Sequence, residues 1–300
     1  LKLKNFKEGF DLYENRWNKK DNPGEKKFTQ IPLLTSLDEI KNKKILIWDE
    51  QGLGDTLQFS RFVIDLAFYS KNITFVVNKK LSKILKKLNK HISVTDYDNL
   101  RLQNFDYQLP LFSLPKLLKV NSFNQINYHK LSLPTLSDFQ IELKGEFKIG
   151  IAWSGNPDYS LDEYRSIPFQ HLQNLFKIQG VNFYKLSQNI RNDEFIDFNS
   201  SRNLIDFGEK SLFEISQLLE KFDLVISSDT SIIHLAGILN IKSILLLNFN
   251  SDWRWFDQTE NTIWYPSVKI IKQKKINDWE NVVTRLVKEV SFIKNKKKGQ

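Results

Sequence analysis

Strand and helix signals alternate along this chain in two separate series, which predicts an α/β protein of two Rossmann-like domains facing a cleft. Three observations carry this reading. Short continuous apolar runs such as Ile45–Trp48 and Ile149–Trp153 have the pattern of buried parallel strands. Between such runs, apolar residues recur at helical spacing. A less regular stretch from Asn99 to Leu143, punctuated by Pro110, Pro115 and Pro134, separates the two series.

The elements follow in order. Residues 1–20 read as a helix, with Phe6, Phe10, Tyr13 and Trp17 on one stripe, broken by Asp21-Asn22-Pro23-Gly24. That stripe needs a neighbour, either in an upstream region or on the body of the protein. Strand Ile45–Trp48 leads into the turn Gly52-Leu53-Gly54-Asp55, then a helix carrying Phe59, Phe62, Val63 and Leu66. A strand at Ile73–Val77, a helix with Leu81, Ile84, Leu85 and Leu88, and a strand at Ile92–Val94 come next. The proline-punctuated stretch reads as loops, short helices and one or two strands that complete the first domain. In the second series the strands are Ile149–Trp153, Val181–Leu186, Asp223–Ser227 and Ser243–Leu247. Helices between them centre on Leu172, Ile215 and His234, and a last helix runs through Trp279, Val282, Val283, Leu286, Val287 and Val290. The expected domains are 30–145 and 146–275, preceded by the helix in 1–20 and followed by a helix and basic tail in 276–300.

Composition narrows the classes. The 300 residues are 41% hydrophobic, enough to bury two cores. No apolar stretch reaches the roughly 18 residues of a membrane span, and no secretory leader is visible. The absence of cysteine excludes disulfides and thiolate metal sites and suits a cytoplasmic, reducing location. Methionine is absent even from position 1, from which an upstream region is expected. The formal charge of +9 is concentrated in Lys79–Lys90 and Lys294–Lys298. These blocks read either as solvated helix faces or as attraction to acidic ligands or the inner face of a membrane. No zinc-finger spacing, RNP-like aromatic motif or basic-helix pattern points to nucleic acid.

Four segments can carry chemistry. In the first, strand Asp223–Ser227 runs through Ser228-Asp229-Thr230-Ser231 into a helix bearing His234. Ser228, Asp229 or Thr230 can cap that helix, whose first-turn amides favour a diphosphate. Thr230, Ser231 and His234 can add donors, or the segment is an ordinary capped helix with a structural histidine. In the second, the glycines Gly52 and Gly54 permit positive φ and close ligand approach. Asp55 there is either a helix cap or a general base for an acceptor hydroxyl. In the third, Trp153-Ser154-Gly155-Asn156-Pro157 precedes Arg165, which is either a surface arginine or a clamp on a leaving diphosphate. In the fourth, Asp252-Trp253-Arg254-Trp255 and Trp264-Tyr265-Pro266 stack on a base or sugar, or pack in the core.

These segments together resemble the C-terminal glycosyltransferase domain of bacterial tetratricopeptide-repeat proteins, related to heptosyltransferases and distantly to O-GlcNAc transferase. The resemblance rests on Gly9–Trp17, Gly52–Phe62, Gly150–Pro157, Arg165–Ile167, Asp223–Gly237, Asp252–Trp255 and Trp264–Pro266, and so covers nearly the whole chain. It implies a GT-B fold and transfer of a hexosyl or heptosyl group from a nucleotide-sugar donor to a glycan, lipid-linked glycan or protein acceptor. It implies Asp55 as base and Asp229, Thr230, Ser231 and His234 as the donor-diphosphate motif, with Ser231 where relatives have glycine. Arg165 and Ser154 belong to the same donor group, with Gly52, Gly54 and Gly155 lining the cleft. Lys185-Leu186-Ser187-Gln188 stands where relatives often have Ser-Leu-Gln, and Lys185 is expected to supply a positive charge there. Residues 1–20 would be the end of a repeat region that binds a protein acceptor or partner. No cofactor or metal is expected.

Two rival readings use other residues or none. A metal-dependent transferase would use Asp96-Tyr97-Asp98. A non-catalytic module would bind nucleotide-sugar or protein through a degenerate cleft. A dinucleotide oxidoreductase lacks its third glycine and the acidic residue after the second strand.

Overall fold

The computed structural model describes residues 1–18, 26–38, 40–102, 104–134, 141–187, 203–256 and 260–299. The chain divides into two compact units, Leu1–Thr135 and Leu136–Gln300. The break expected at 21–24 and Gln188 lie outside the described residues.

The first unit is built on a four-stranded parallel sheet of β1 (Ile45–Trp48), β2 (Ile73–Val77), β3 (Ile92–Asp96) and β4 (Tyr107–Pro110), in the order β3-β2-β1-β4. Every residue of β1 is buried, which explains its unbroken apolar run. Helix α1 (Phe6–Tyr13) precedes the sheet; α2 (Leu53–Leu66), α3 (Lys79–Leu85) and α4 (Leu114–Leu117) follow β1, β2 and β4. The α2 stripe of Phe59, Phe62, Val63 and Leu66 is fully buried, as its spacing predicts.

The N-terminal segment differs from its expectation. The α-helix stops at Tyr13 and continues as a 3-10 turn, Glu14–Asn18. The tighter turn brings Arg16 round to the sheet, where it is buried. The body covers the apolar stripe: Phe6 meets Phe123 edge-on at 4.9 Å, Tyr13 stacks on Phe112, and Trp17 packs on Trp48.

The second unit holds a six-stranded parallel sheet in the order β10-β9-β8-β5-β6-β7. Its strands are β5 (Lys148–Ala152), β6 (Asn182–Lys185), β7 (Leu204–Ile205), β8 (Leu224–Ser228), β9 (Ser243–Leu247) and β10 (Val268–Lys272). Helices α5 (Asp162–Arg165), α6 (Gln173–Phe176), α7 (Leu212–Leu219), α8 (Ser231–Ile238) and α9 (Trp279–Lys298) surround it. The helix expected around Leu172 is instead a 3-10 turn, Phe169–Leu172, followed by the single turn α6. Strands β7 and β10 and helix α5 had no place in the periodicity reading. β7 is only two residues long, and β10 carries two lysines among three apolar residues at the edge of the sheet. The apolar face of α9, from Trp279 through Val282, Val283, Leu286 and Val290, joins a core with Ile149, Ile151, Trp153 and Phe183. No helix among the described residues is long and apolar enough to cross a membrane.

Both sheets contain a point where strand order reverses. In the first unit the chain moves outward from β1 to β3 and then returns to place β4 on the other side. In the second it moves from β5 to β7 and returns to place β8 beside β5. Crossovers leave in opposite directions at such points, and the carboxyl ends of the two strands open a crevice. The residues after β1 and β4, and after β5 and β8, are therefore the ones positioned for ligands.

Candidate functional site

In the second unit the reversal lies between β5 and β8, and Ser154, Arg165, Asp229, Thr230, Ser231 and His234 follow those two strands, whereas Lys185 ends the next strand, β6. Of the three candidate caps it is Thr230 that starts α8, its hydroxyl accepting from the Ile232 amide at 3.4 Å and lying 3.1 Å from Ser227 Oγ. The Thr230 hydroxyl thus serves the helix, while Ser231 opens its first turn. Arg165 reaches across from the end of α5: Nη1 donates to the Asp229 carbonyl and Nε to Asp162 Oδ1, both at 2.9 Å. Asp162 is buried and also accepts from Ser166 Oγ. One of the five guanidinium donors thus ties Arg165 to the residue before the α8 cap, and a second anchors it to Asp162 of its own helix.

Gly155 makes room for this arrangement. A β-carbon there would stand 2.4 Å from the Arg165 guanidinium and 2.6 Å from Asp162 Oδ1. Its neighbour Ser154 is buried, and the Trp153 amide donates to Ser187 Oγ. Lys185, at the end of β6, pairs with Asp206 at 2.6 Å, so its charge is balanced within the unit. The positive charge expected from Lys185 is therefore already matched by a carboxylate that sequence reading did not single out.

His234 lies one turn into α8 and is 4% exposed. Its Nδ1 is 2.9 Å from Tyr265 Oη, its Nε2 is 3.7 Å from Asp229 Oδ1, and its ring stacks on Trp255 at 5.3 Å. Burial opposes ionisation of Asp229, but His234, Trp255 and Arg165 outweigh it and hold the carboxyl below the ordinary range. The aromatic pairs at 252–255 and 264–266 resolve toward packing: Trp255, Trp264 and Tyr265 are buried, and Trp264 Nε1 donates to the Arg254 carbonyl at 2.6 Å. Trp253 is only half-buried, with Arg254 over its ring.

Tyr265 also explains Gly237. A β-carbon there would fall 2.4 Å from Tyr265 Cγ. Alanine in a helix ordinarily gains about 1 kcal/mol over glycine. Here the ring is fully buried and cannot retreat, and overpacking of this kind costs about 1–3 kcal/mol. Gly237→Ala is therefore expected to lower stability in chemical denaturation despite its better helix propensity. A stabilised variant would show that the ring gives way.

In the first unit the reversal lies between β1 and β4. Gly52 is the N-cap of α2 with φ −81°, and its amide donates to Asp55 Oδ2 at 2.9 Å. The expectation that glycine supplies positive φ is corrected: Gly54 lies within α2, and the left-handed residue is Gln51, at φ 67°. Gly52 is extended because a capping residue must be, and the reversal of direction falls one residue earlier. Asp55 is half-exposed on the first turn and acts as a cap; that role leaves room for another.

Two carboxylates before the turn had no place in the sequence reading. Asp49 is buried, accepting from Tyr97 Oη at 2.5 Å and from the Asn78 amide at 2.7 Å. Glu50 accepts from Arg16 through both oxygens, at 2.7 and 2.9 Å, and from the Phe112 amide. Burial pushes both carboxyls up against these partners. A strand-end Asp-Glu after an apolar run was the available signal. Of Asp96-Tyr97-Asp98, Asp96 caps the Asn99 amide, Tyr97 serves Asp49, and Asp98 pairs with Lys79. Among the described residues, no group of three or more histidine, aspartate or glutamate side chains converges.

No family model matches the chain. It is 24% identical over 326 aligned positions to the protein FlbA of Caulobacter vibrioides, covering 95% of this chain and 52% of that one. The chain thus spans about half the length of that curated relative. Among solved structures it resembles the ADP-heptose lipopolysaccharide heptosyltransferase II of E. coli at 12% identity and a TM-score of 0.59. That match covers 85% of this chain and 99% of that one. It also resembles a family 9 glycosyl transferase of Veillonella parvula, with a TM-score of 0.60, 12% identity, and 86% and 99% coverage. The fold of this chain is the two-sheet α/β fold of the heptosyltransferases.

Proposed function

We propose that this chain is a glycosyltransferase that moves a sugar from a nucleoside diphosphate to an acceptor hydroxyl. The observation that carries the reading is the convergence of Arg165, Asp229 and His234 on the N-terminus of α8, at the strand reversal of the second sheet. Helix amides and a fixed guanidinium favour a diphosphate there, and more strongly as the sugar departs and charge builds on the leaving oxygen. In the proposed step the acceptor oxygen bonds to the anomeric carbon and the bond from that carbon to the diphosphate oxygen breaks. The hydroxyl proton passes to Asp55 of the first unit.

The helix terminus and Arg165 supply the electrostatic stabilisation that a metal supplies in other transferases, so the reaction is proposed to be metal-independent. The solved neighbour that uses ADP-heptose makes ADP the first nucleotide to test. The sugar is hexosyl or heptosyl, and the acceptor a glycan, lipid-linked glycan or protein. A cytoplasmic location and selection of the acceptor by upstream repeats belong to the same proposal.

ADP, UDP, GDP and CMP, each with and without EDTA, test it by thermal shift. At a hundredfold excess over the dissociation constant one nucleotide should stabilise the chain by about 2.7 kcal/mol. The shift is expected to survive EDTA and to be lost in His234→Ala. A wild-type chain unmoved by all four nucleotides would defeat the reading.

A further inference from the structure

We propose that Arg16 is a positioning residue for the turn that carries Asp55, so that the segment Tyr13–Trp17 is part of the active-site scaffold of the first unit. The inference rests on the transferase reading only in giving that turn a catalytic purpose. Gly9–Trp17 and Gly52–Phe62 are separate motifs in sequence, and the structure joins them. Tyr13 Oη accepts from Gln51 Nε2 at 2.9 Å. Glu14 accepts from Ser113 Oγ at 2.9 Å, and Arg16 Nη2 also meets Ser113 Oγ, at 3.0 Å. Trp17 packs on Trp48, the last residue of β1. Between these contacts the Arg16 fork holds Glu50 through two parallel bonds, with side-chain exposures of 9% and 8%.

The turn has reason to need this hold. Gln51 is a non-glycine residue at φ 67°, a conformation that costs free energy and persists only where its surroundings over-determine it. Its neighbours do so: Asp49 is fixed by Tyr97 and Asn78, Glu50 by Arg16 and Phe112, and Gln51 by Tyr13. Gly52 and Asp55 follow directly, joined by the bond from the Gly52 amide to Asp55 Oδ2. A planar fork fixes Glu50 in direction as well as distance, which a point charge does not. The orientation of Asp55 is thus set partly from a segment that lies 34 residues before Glu50 in sequence.

Arg16→Met alone leaves Glu50 buried without its cation and can prevent folding, so the decisive variant is R16M/E50Q. The glutamine keeps an acceptor for the Phe112 amide and removes the enclosed charge of Glu50, while Glu14, the other carboxylate beside Arg16, is 30% exposed and keeps its bond from Ser113. Hydrogen exchange is read at two bonded turn amides, Gly52 and Thr56, and at Phe62 and Val63 further along α2. Exchange at Gly52 and Thr56 is expected to rise at least tenfold in the folded double variant, with Phe62 and Val63 within twofold of wild type. Wild-type exchange at the turn, or equal acceleration along α2, overturns the proposal.

With ADP-heptose as donor, the variant should lower kcat at least tenfold and leave KM for the donor within twofold. An unchanged kcat also overturns it. A wild-type chain that none of ADP, UDP, GDP and CMP stabilises defeats the transferase reading instead, and the exchange result still decides the role of Arg16.

Discussion

Asp55→Asn is expected to lower turnover by roughly a hundredfold to ten-thousandfold, the usual contribution of a general base, while ADP binds as before. The substitution separates the cap that the structure shows from the proposed base. Asparagine keeps an oxygen to accept the Gly52 amide, so the start of α2 stays capped. What it loses is the capacity to take a proton. Asp55→Ala would confuse the two, because loss of a cap costs about 0.5–2 kcal/mol by itself. Steady-state turnover of nucleotide-sugar and calorimetric titration with ADP are the paired measurements. If Asp55→Asn retains full turnover, Asp55 is a cap and the base lies elsewhere. If it loses ADP binding as well, the two units do not divide the reaction as proposed.

Arg16→Met is expected to destabilise the first unit by about 3–5 kcal/mol, the range for breaking a buried ion pair from one side. Both partners are nearly enclosed, and Glu14 lies 3.0 Å from the same guanidinium, so two carboxylates lose their cation together. Burial already pushes Glu50 toward protonation, and removal of Arg16 removes the influence that opposes it. At a few degrees per kcal/mol for a unit of this size, the melting temperature should fall by roughly 10–20 °C. Restoring neutrality with Glu50→Gln in the same chain should recover most of the loss, because the penalty is that of an uncompensated charge. A loss below 1 kcal/mol in Arg16→Met would show that the pair is effectively solvated.

The parts legible in the sequence share a physical property: each is local. Ile45–Trp48 reads as a strand because burial on both faces demands an apolar residue at every position. The α2 stripe reads as a helix because its buried face recurs every three to four residues. The turn after Ser228 was legible as a helix start, but which residue caps it was not. Three adjacent side chains could all accept an amide, and the backbone conformation at Thr230 selects among them. β7 and the single turns α5 and α6 are too short to carry a period, and β10 pairs at a sheet edge with mixed polarity.

By itself the sequence determined two parallel α/β sheets and the strand ends at which ligands can be met, and it singled out Asp55, Arg165, Asp229 and His234 as candidates. Tertiary structure alone decided what each of these touches. Arg165 meets the Asp229 carbonyl 64 residues away, His234 meets Tyr265 31 residues away, and Arg16 meets Glu50. It also placed the left-handed residue at Gln51 instead of a glycine, and matched Lys185 with Asp206. Local periodicity reports which face of an element is buried. Hydrogen bonds and ion pairs between distant residues depend on strand order and on where each crossover returns, and no local pattern encodes those.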